Sequence, residues 1–315
     1  MSRRGFLGAG VAIAGASALA PAMAQVDVGR PSSMRGLVPA AELEAAAAQE
    51  YAQLIGQARQ KGVLASDSNP TLQRLRSIVA RLIPHAAQWN KRANSWRWEV
   101  NLINSPQINA FVMPGGKIAA FTGLIEKLNL TEDEAAMVLA HEMAHALREH
   151  AGERIAKTQG TGIGLSVLAQ VLGLGQFGDM AANIGTQLLS LRFSREDEIE
   201  ADLVGLELAA RAGYDPRASL SLWEKMGRAS GGSQGPGFLS THPSGPARMA
   251  RLRENIPRVQ GLYEQARGRG SAPVASSARP PASAAGRPAA SAPASAAGRP
   301  AGRPPPEQGG IPIIR

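Results

Sequence analysis

The sequence predicts an α+β fold that is mostly helical and contains one small β-sheet. Apolar side chains recur at helical spacing in several segments between residues 41 and 254, and capping residues precede some of them. Residues 96–122 differ, because their apolar side chains alternate with polar ones and a Pro-Gly-Gly turn divides them. Together these patterns predict a helical domain with a sheet built around one hairpin.

Two helices are predicted before the sheet. Residues 41–60 are rich in alanine and glutamate, which favour helix. The next helix carries an apolar stripe typical of a face that packs against a core. The stripe consists of Leu72, Leu75, Ile78, Val79 and Leu82.

The sheet is predicted from three short segments. Trp98, Val100 and Leu102 alternate with polar residues, which is typical of a half-buried strand. Two further apolar runs, residues 108–113 and 117–121, flank the turn Pro114-Gly115-Gly116 and predict a hairpin.

The following helix begins at Thr131, which forms a capping-box sequence with Glu134. We expect this helix to continue to about Ile155. It contains the pattern H-E-x-x-H, which runs from His141 to His145.

The H-E-x-x-H pattern predicts a zinc site. Residues four apart lie on one face of a helix, so His141 and His145 can bind one zinc ion at about 2.0–2.1 Å. Glu142 lies beside them and can act as a general base toward a metal-activated water. The chain contains only five histidines, so this spacing is informative. The alternative is a pair of solvated histidines on an exposed helix.

Residues 161–191 are apolar and rich in glycine, but polar side chains interrupt them. A membrane span needs about 20 largely apolar residues in a row. The segment therefore predicts one or two buried or interfacial helices, with a peripheral membrane contact as the alternative.

Three more helices are predicted in the C-terminal half. Ser194 opens the first, with Asp197 at the third helical position, and Gly213 closes it. The other two are expected at residues 218–228 and 246–254, on either side of a glycine-rich run.

A zinc site of this kind needs a third protein ligand. His150 lies five residues past His145, about 140° around a continuous helix, so it cannot share the ion. His85 follows a proline and is expected at a cap or on the surface. Arg148 and Ala151 occupy the glycine and histidine positions of the H-E-x-x-H-x-x-G-x-x-H pattern, which excludes that class.

A carboxylate is the remaining candidate for the third ligand. Residues 194–202 form the densest acidic stretch of the chain. On a helix Glu198 and Asp202 share a face, whereas Glu200 points away. Glu198 can then bind zinc and Asp202 can hydrogen-bond a ligand imidazole. A solvated acidic face near a helix N-terminus explains the stretch equally well.

Composition excludes several functional classes. The chain has no cysteine, so disulfides, thiolate metal sites and thiol nucleophiles are absent. Residues 25–265 carry 25 basic and 24 acidic side chains, so the net charge of +9 comes mainly from the ends of the chain. A nearly neutral folded region argues against a nucleic-acid-binding domain.

Both ends of the chain differ from the centre. Residues 1–24 combine a twin-arginine start, a short apolar stretch and an Ala-Met-Ala cleavage motif, which together predict an export signal. Residues 266–315 are rich in Ala, Pro, Ser, Gly and Arg and predict a disordered tail. The expected folded domain is therefore residues 25–265.

Several stretches resemble one family. H-E-M-A-H-A-L-R-E-H, S-R-E-D-E-I-E-A-D, T-H-P-S-G-P-A-R and the hairpin around Phe111 resemble the zinc metallopeptidases that include HtpX, the CAAX prenyl proteases and periplasmic BepA-like proteases. The resemblance covers about residues 40–260 and implies a zincin-type domain with a small sheet beside the active-site helix. Long membrane helices and helical repeats of some members are not evident, which implies a minimal exported member.

The resemblance implies a complete site. One zinc ion per chain would be bound by His141, His145 and Glu198, with Glu142 as the base and Asp202 orienting the site. The hairpin would bind an extended peptide along its edge strand. The residues expected to contact this substrate are Ala110, Phe111, Val112, Met113, Gly115 and Gly116.

Two more residues have implied roles near the zinc ion. His242 and Arg248 keep the spacing that the family shows near its active site, so either could stabilise the oxyanion of the reaction. Alternatively, His242 could occupy the fourth zinc position and keep the enzyme latent. A His-Pro turn that only begins a helix is the structural alternative.

The sequence thus predicts a zinc endopeptidase of the bacterial periplasm that cleaves unfolded or misassembled envelope proteins. Its expected partners are polypeptides, with a possible peripheral membrane contact and no nucleic acid. One alternative is a periplasmic chaperone or assembly factor with a largely latent zinc site. Another is an envelope-bound scaffold that acts through the basic tail.

Overall fold

The computed structural model describes residues 26–158, 193–230, 238–242 and 245–271. The mostly helical α+β prediction is confirmed. The predicted signal segment, the apolar stretch 161–191, the glycine-rich run and nearly all of the predicted tail lie outside the described residues.

The N-terminal part forms one wall of the domain. A 3-10 helix, Ser33–Leu37, precedes α1 (Ala40–Gln60) and α2 (Pro70–Leu82). The predicted apolar stripe on α2 is fully buried in the main core. Two further 3-10 helices, Ile83–Gln88 and Lys91–Ser95, lead to the sheet.

The sheet has three strands in the order β1-β3-β2, where β1 is Glu99–Ile103, β2 is Ala110–Met113 and β3 is Lys117–Phe121. β2 and β3 form the predicted antiparallel hairpin, and β1 pairs with β3 in parallel. The expected alternation of burial in β1 is wrong, because Val100 to Ile103 are all buried. Helices cover this strand on one face and the N-terminal helix covers the other.

The central helices follow the short helix α3 (Thr122–Lys127). α4 is Glu132–Leu147, and the capping box between Thr131 and Glu134 is present as predicted. The prediction of one continuous helix to Ile155 is wrong, since α4 ends at Leu147 and α5 (His150–Thr158) begins after a turn. Glu149 in that turn has a φ of 56°, in the left-handed region that breaks a helix.

The C-terminal elements are α6 (Arg195–Arg211), α7 (Ala218–Ser230), α8 (Phe238–Thr241) and α9 (Pro246–Ser271). The predicted cap at Ser194 and the left-handed Gly213 after α6 are both present. α9 continues past Glu254, where its end was expected, and includes the first six residues of the segment predicted to be disordered. Within the described ranges, none of the helices has the combined length and apolarity that crossing a membrane requires.

α4 and α6 pack closely, and Gly205 explains how. A Cβ atom at this position would lie 2.9 Å from the backbone nitrogen of His141. Only glycine therefore allows the backbone of α6 to approach α4 so closely at the H-E-x-x-H segment. This contact brings the acidic first half of α6 next to the two histidines.

Candidate metal centre

The two histidines of α4, His141 and His145, direct their Nε2 atoms toward the same position. Nε2 of His141 and Nε2 of His145 lie 3.1 Å apart, and both side chains are buried. Burial lowers the pKa of His141 below its ordinary value. Burial also places the pKa of His145 well below its ordinary value, because a second positive charge beside His141 would be unfavourable. The rings are therefore neutral, as metal-ligating imidazoles must be.

Glu198 of α6 supplies a carboxylate to the same point. Its two oxygens lie 3.6 Å from Nε2 of His141 and 3.5 Å from Nε2 of His145. The side chain is fully buried. Burial raises the pKa of Glu198, but the charges of His242 and other neighbours outweigh this, so the pKa lies below its ordinary value.

His242 completes a buried group of four. Its Nδ1 lies 2.9 Å from a Glu198 oxygen and 3.4 Å from Nε2 of His141. One donor atom from each of His141, His145, Glu198 and His242 lies within 4.8 Å of the others. Phe238 stacks on the His242 ring and fixes its orientation.

These residues fit a zinc ion. Three imidazoles and a carboxylate are ligands that zinc accepts in a four-coordinate site. With Nδ1 of His141 directed to Asp202 and Nδ1 of His145 directed to His150, both Nε2 atoms can present lone pairs, and at 3.1 Å apart they can bind one cation. A carboxylate oxygen of Glu142 beside the group is also buried and has no hydrogen-bond partner among the described residues. A burial of this kind is costly unless another group compensates it.

Glu142 lies next to the ligand group, where a general base is needed. Its Oε1 is 3.5 Å from Nε2 of His242. Burial raises the pKa of Glu142 to about 7, against the opposing charge of His242, and the backbone of Val112 donates toward it. A carboxylate whose pKa is near 7 can both accept and return a proton at neutral pH.

Asp202 and Arg248 contact the candidate ligands His141 and Glu198 on the side away from the shared ligand position. Oδ1 of Asp202 lies 3.1 Å from Nδ1 of His141, as the sequence predicted for an orienting carboxylate. Arg248 donates twice to Asp202, at 2.7 Å each, and its third nitrogen lies 2.7 Å from Glu198. The guanidinium also lies over the ring of Trp223. Arg248 thus braces two carboxylates, which differs from the expected role of facing the oxyanion.

His145 has a corresponding support that the sequence did not reveal. Nδ1 of His150 lies 2.9 Å from Nδ1 of His145, and Nε2 of His150 lies 3.4 Å from Glu200. Glu200 in turn pairs with Arg35 at 3.0 Å and with Arg148. His150 lies outside the group of four candidate ligands, and it contacts the ring of His145, which belongs to that group.

The helix break explains why this support was missed. In a continuous helix, His150 would point about 140° away from His145. Asn90 caps the end of α4 by donating to the carbonyl of Leu147, and the same amide contacts Glu149 in the turn. The turn brings His150 back under His145. Neither glycine nor proline marks this break in the sequence, so only the scarcity of histidine could have drawn attention to His150.

Strand β2 lies beside the candidate metal centre, because Val112 is close to both Glu142 and His145. The peptide-binding role expected for this strand stays a prediction. β2 is an edge strand of the described sheet, and its odd-numbered residues are those that hydrogen-bond to β3, in register with the bond from the N–H of Phe121 to the carbonyl of Asn109. The N–H and C=O groups of Ala110 and Val112 therefore point away from β3, and the N–H of Val112 donates to Glu142. The carbonyl of Ile108, one repeat earlier, already accepts a hydrogen bond from the backbone of Phe238 at 2.8 Å.

The other expected substrate residues lie at the same place. Phe111 and Met113 alternate with the outward-facing positions on β2. Gly115 and Gly116 form the turn, both with positive φ, and a Cβ at Gly116 would collide with the ring of Trp98. These glycines are required by the hairpin itself.

Two imidazoles from one helix, a carboxylate from a second helix and a base beside an edge strand define a metal-dependent peptidase. The model of Peptidase family M48 matches residues 70–256, and the chain belongs to this family. The resemblance drawn from the sequence is therefore confirmed, as is the zincin-type domain.

Relatives extend this assignment. The chain is 42% identical over 155 residues to the mitochondrial metalloendopeptidase OMA1 of Arabidopsis thaliana, which covers 49% of this chain and 31% of that protein. It is 37% identical over 194 residues to OMA1 of Schizosaccharomyces pombe, covering 61% and 55%. The beta-barrel assembly-enhancing protease of Escherichia coli is 28% identical over 204 residues, covering 61% and 40%. The matches thus span about a third to a little over half of these relatives.

The expectation of a periplasmic protein is contradicted by these comparisons. Mitochondrial metalloendopeptidases of plant, fungal and animal origin all show higher identity than the bacterial protease does. The N-terminal pattern on which the expectation was based lies outside the described residues.

Proposed function

We propose that this chain is a zinc-dependent endopeptidase that cleaves unfolded segments of polypeptides. The observation that carries the proposal is the position of Glu142, a buried carboxylate with its pKa raised to about 7, between the ligand group and the outward-facing edge of β2. A base, a metal site and a backbone-binding edge are the parts that peptide hydrolysis needs.

The ligand residues and the base have separate tasks. His141, His145 and Glu198 would hold the ion. When bound, zinc acts as a Lewis acid that acidifies a water and polarises a carbonyl. Glu142 accepts the proton of the attacking water and passes it to the leaving amine. Its burial keeps bulk water from competing for this proton.

The edge of β2 supports unfolded polypeptide as the substrate. The N–H of Ala110 and the carbonyls of Ala110 and Val112 point away from β3, while the N–H of Val112 donates to Glu142. These outward groups can bind an extended backbone with little dependence on side chains. A segment already paired in a folded sheet has no free backbone to offer. The backbone hydrogen bond from Phe238 to Ile108 occupies the edge just before β2, so only a short substrate segment can pair with this strand.

The position of His242 supports an enzyme whose activity is restrained in the resting state. Its Nδ1 lies within the ligand group, so it can occupy the position that an attacking water needs. This placement favours the latch over the oxyanion role. It also leaves room for the alternative in which the protein binds unfolded chains and seldom cuts them.

The proposal is tested with zinc-loaded protein and a fluorogenic casein. Glu142→Gln should reduce the cleavage rate by at least about 10²–10⁴-fold, since that is the usual contribution of a general base. Glu126→Gln, the same change at an exposed position of α3, is the control and should cleave at the wild-type rate. If the Glu142→Gln variant cleaves casein at the wild-type rate, Glu142 is not the general base.

A further inference from the structure

A pocket opens between the metal centre and the N-terminal segment. We call it the α1 pocket. Its wall includes His145 and the half-buried ring of Phe193, which stacks on His145 at a centroid distance of 4.0 Å. The cleft is open on one side, and its empty space of about 470 Å³ includes bulk solvent. Its apolar lining consists of Val38, Ala40, Leu43, Trp96, Val112 and Pro114.

The charged side chains on this lining are Arg35, Glu44 and Glu149, and each already has a hydrogen-bond partner; Glu149 accepts from the amide of Asn90 at 3.2 Å. Arg35 pairs with Glu153 at 2.6 Å and with Glu200. Glu44 accepts hydrogen bonds from Arg92 and from the indole of Trp96. A charged side chain entering the pocket would lose its hydration and meet mainly apolar atoms, which is costly. The pocket therefore favours an apolar occupant.

The occupant follows from the position of Val112. This residue belongs to both the pocket and the outward-facing edge of β2. A substrate strand paired with β2 points alternate side chains to opposite faces of the sheet. A side chain that points to the face of the pocket lies against His145, next to the centre where the bond is cut.

We propose that the α1 pocket is a substrate subsite that binds a bulky apolar side chain next to the scissile bond. The inference rests on the proposed endopeptidase function. Val38, Ala40 and Leu43 precede residues 70–256, the part that matches the family model. Specificity at this position is thus set in part by a segment outside the matched region.

The test narrows the pocket at its half-buried rim. Ala40→Leu places a branched side chain at the first residue of α1, on the pocket wall. Ala45→Leu makes the same change at an exposed position of the same helix and is the matched control. Thermal unfolding of both variants checks that each is folded.

Cleavage of a peptide library measures the effect. Wild type and Ala45→Leu should prefer leucine or phenylalanine at one position beside the cut. Ala40→Leu should lose about tenfold or more in kcat/KM for these peptides, and little for alanine at that position, because a few methylenes in such a pocket are worth about 10–200-fold. A wild type without an apolar preference, or an unchanged preference in Ala40→Leu, overturns the inference.

A binding measurement separates this inference from the proposed function. Fluorescein-labelled peptides with leucine or alanine at the same position are titrated into Glu142→Gln proteins that also carry Ala40→Leu or Ala45→Leu. If Ala40→Leu weakens binding of the leucine peptide but not of the alanine peptide, the subsite is supported even if the wild type cleaves nothing. In that case only the endopeptidase function fails. Equal affinities in both proteins contradict the subsite.

Discussion

The support of His145 by His150 gives a prediction about zinc affinity. His145 can present Nε2 to a metal only if Nδ1 carries its proton, and this proton points to Nδ1 of His150 at 2.9 Å. His150→Phe keeps a ring of similar size but removes the acceptor. We expect the variant to bind zinc more weakly while its fold is retained.

The magnitude follows from the burial of both rings, which are 2% and 0% exposed. A buried donor left without an acceptor costs about 1–3 kcal/mol. Without metal, His145 can move its proton to the other nitrogen and avoid this cost, so the cost falls mainly on the zinc-bound state. At about 1.4 kcal/mol per tenfold, zinc affinity should decrease roughly 5- to 150-fold. Outer-shell changes at zinc sites commonly cost about 10–100-fold.

The assay is competition for zinc against a chromogenic chelator, with thermal unfolding of the metal-free proteins measured in parallel. His150→Asn is the matched variant, because its carboxamide oxygen can replace Nδ1 as an acceptor. It should recover most of the affinity lost in His150→Phe. The reasoning is refuted if both variants bind zinc as tightly as the wild type, or if both lose affinity only in proportion to a loss of metal-free stability.

Three further predictions concern packing, charge and the latch. Gly205→Ala should lower the free energy of unfolding by about 1–3 kcal/mol in urea denaturation, because its methyl group overpacks the contact between α4 and α6; an unchanged midpoint contradicts this. Burial raises the pKa of Glu134, but its bonds to Lys225 and Ser221 outweigh burial and lower it. Glu134→Gln should therefore cost about 2 kcal/mol at pH 7. A lowered carboxyl pKa stabilises the folded state above the ordinary value of 4.5. The difference should therefore shrink as the pH falls below 4.5 and vanish once the pH is below the lower pKa of the folded state. His242→Ala should raise the rate of casein cleavage if the imidazole is a latch, whereas loss of an oxyanion donor would lower kcat by about 10²–10³-fold.

Local signals predicted the parts of the site that lie within single helices. The capping box at Thr131 and the spacing of His141 and His145 depend on neighbours within four residues, so the sequence contains them directly. Glu198 and Asp202 were recognised as sharing a face, but their burial was not, because a solvated acidic face has the same pattern. Resemblance to the family was needed to decide between the two.

The arginine–carboxylate pairs around the site could not be predicted, because each pair joins residues that are distant in the sequence. Arg248 and Asp202 are 46 residues apart, and Arg35 and Glu200 are 165 apart. Hydrophobic periodicity says nothing about which arginine meets which carboxylate. The turn at Glu149 is similar, since the contacts of Asn90, some 59 residues earlier, stabilise it.

The contacts that support His141 and His145 explain why α6 carries an acidic stretch. Glu198 binds within the ligand group, Asp202 holds His141 from the same face, and Glu200 reaches His145 through His150 on the opposite face. Three buried or nearly buried carboxylates within five residues would repel one another and take up protons if nothing opposed them. Burial does raise the pKa of Asp202 and of Glu200, yet Arg248 lowers the first to about 2, and His150 with Arg35 lowers the second to about 2.

All three carboxylates therefore stay ionised beside two neutral imidazoles, and each ring is held by a carboxylate on the side away from the ion. One helix thus supplies the proposed carboxylate ligand and supports the orientation of both proposed histidine ligands. Its arginine partners come from the 3-10 helix before α1, from the end of α4 and from α9, so the metal centre can form only when the N-terminal segment and the last helix are both packed in place. Zinc binding and folding of the whole domain should consequently be coupled, because a ligand set whose charges are balanced by such distant segments does not exist in a partly folded chain.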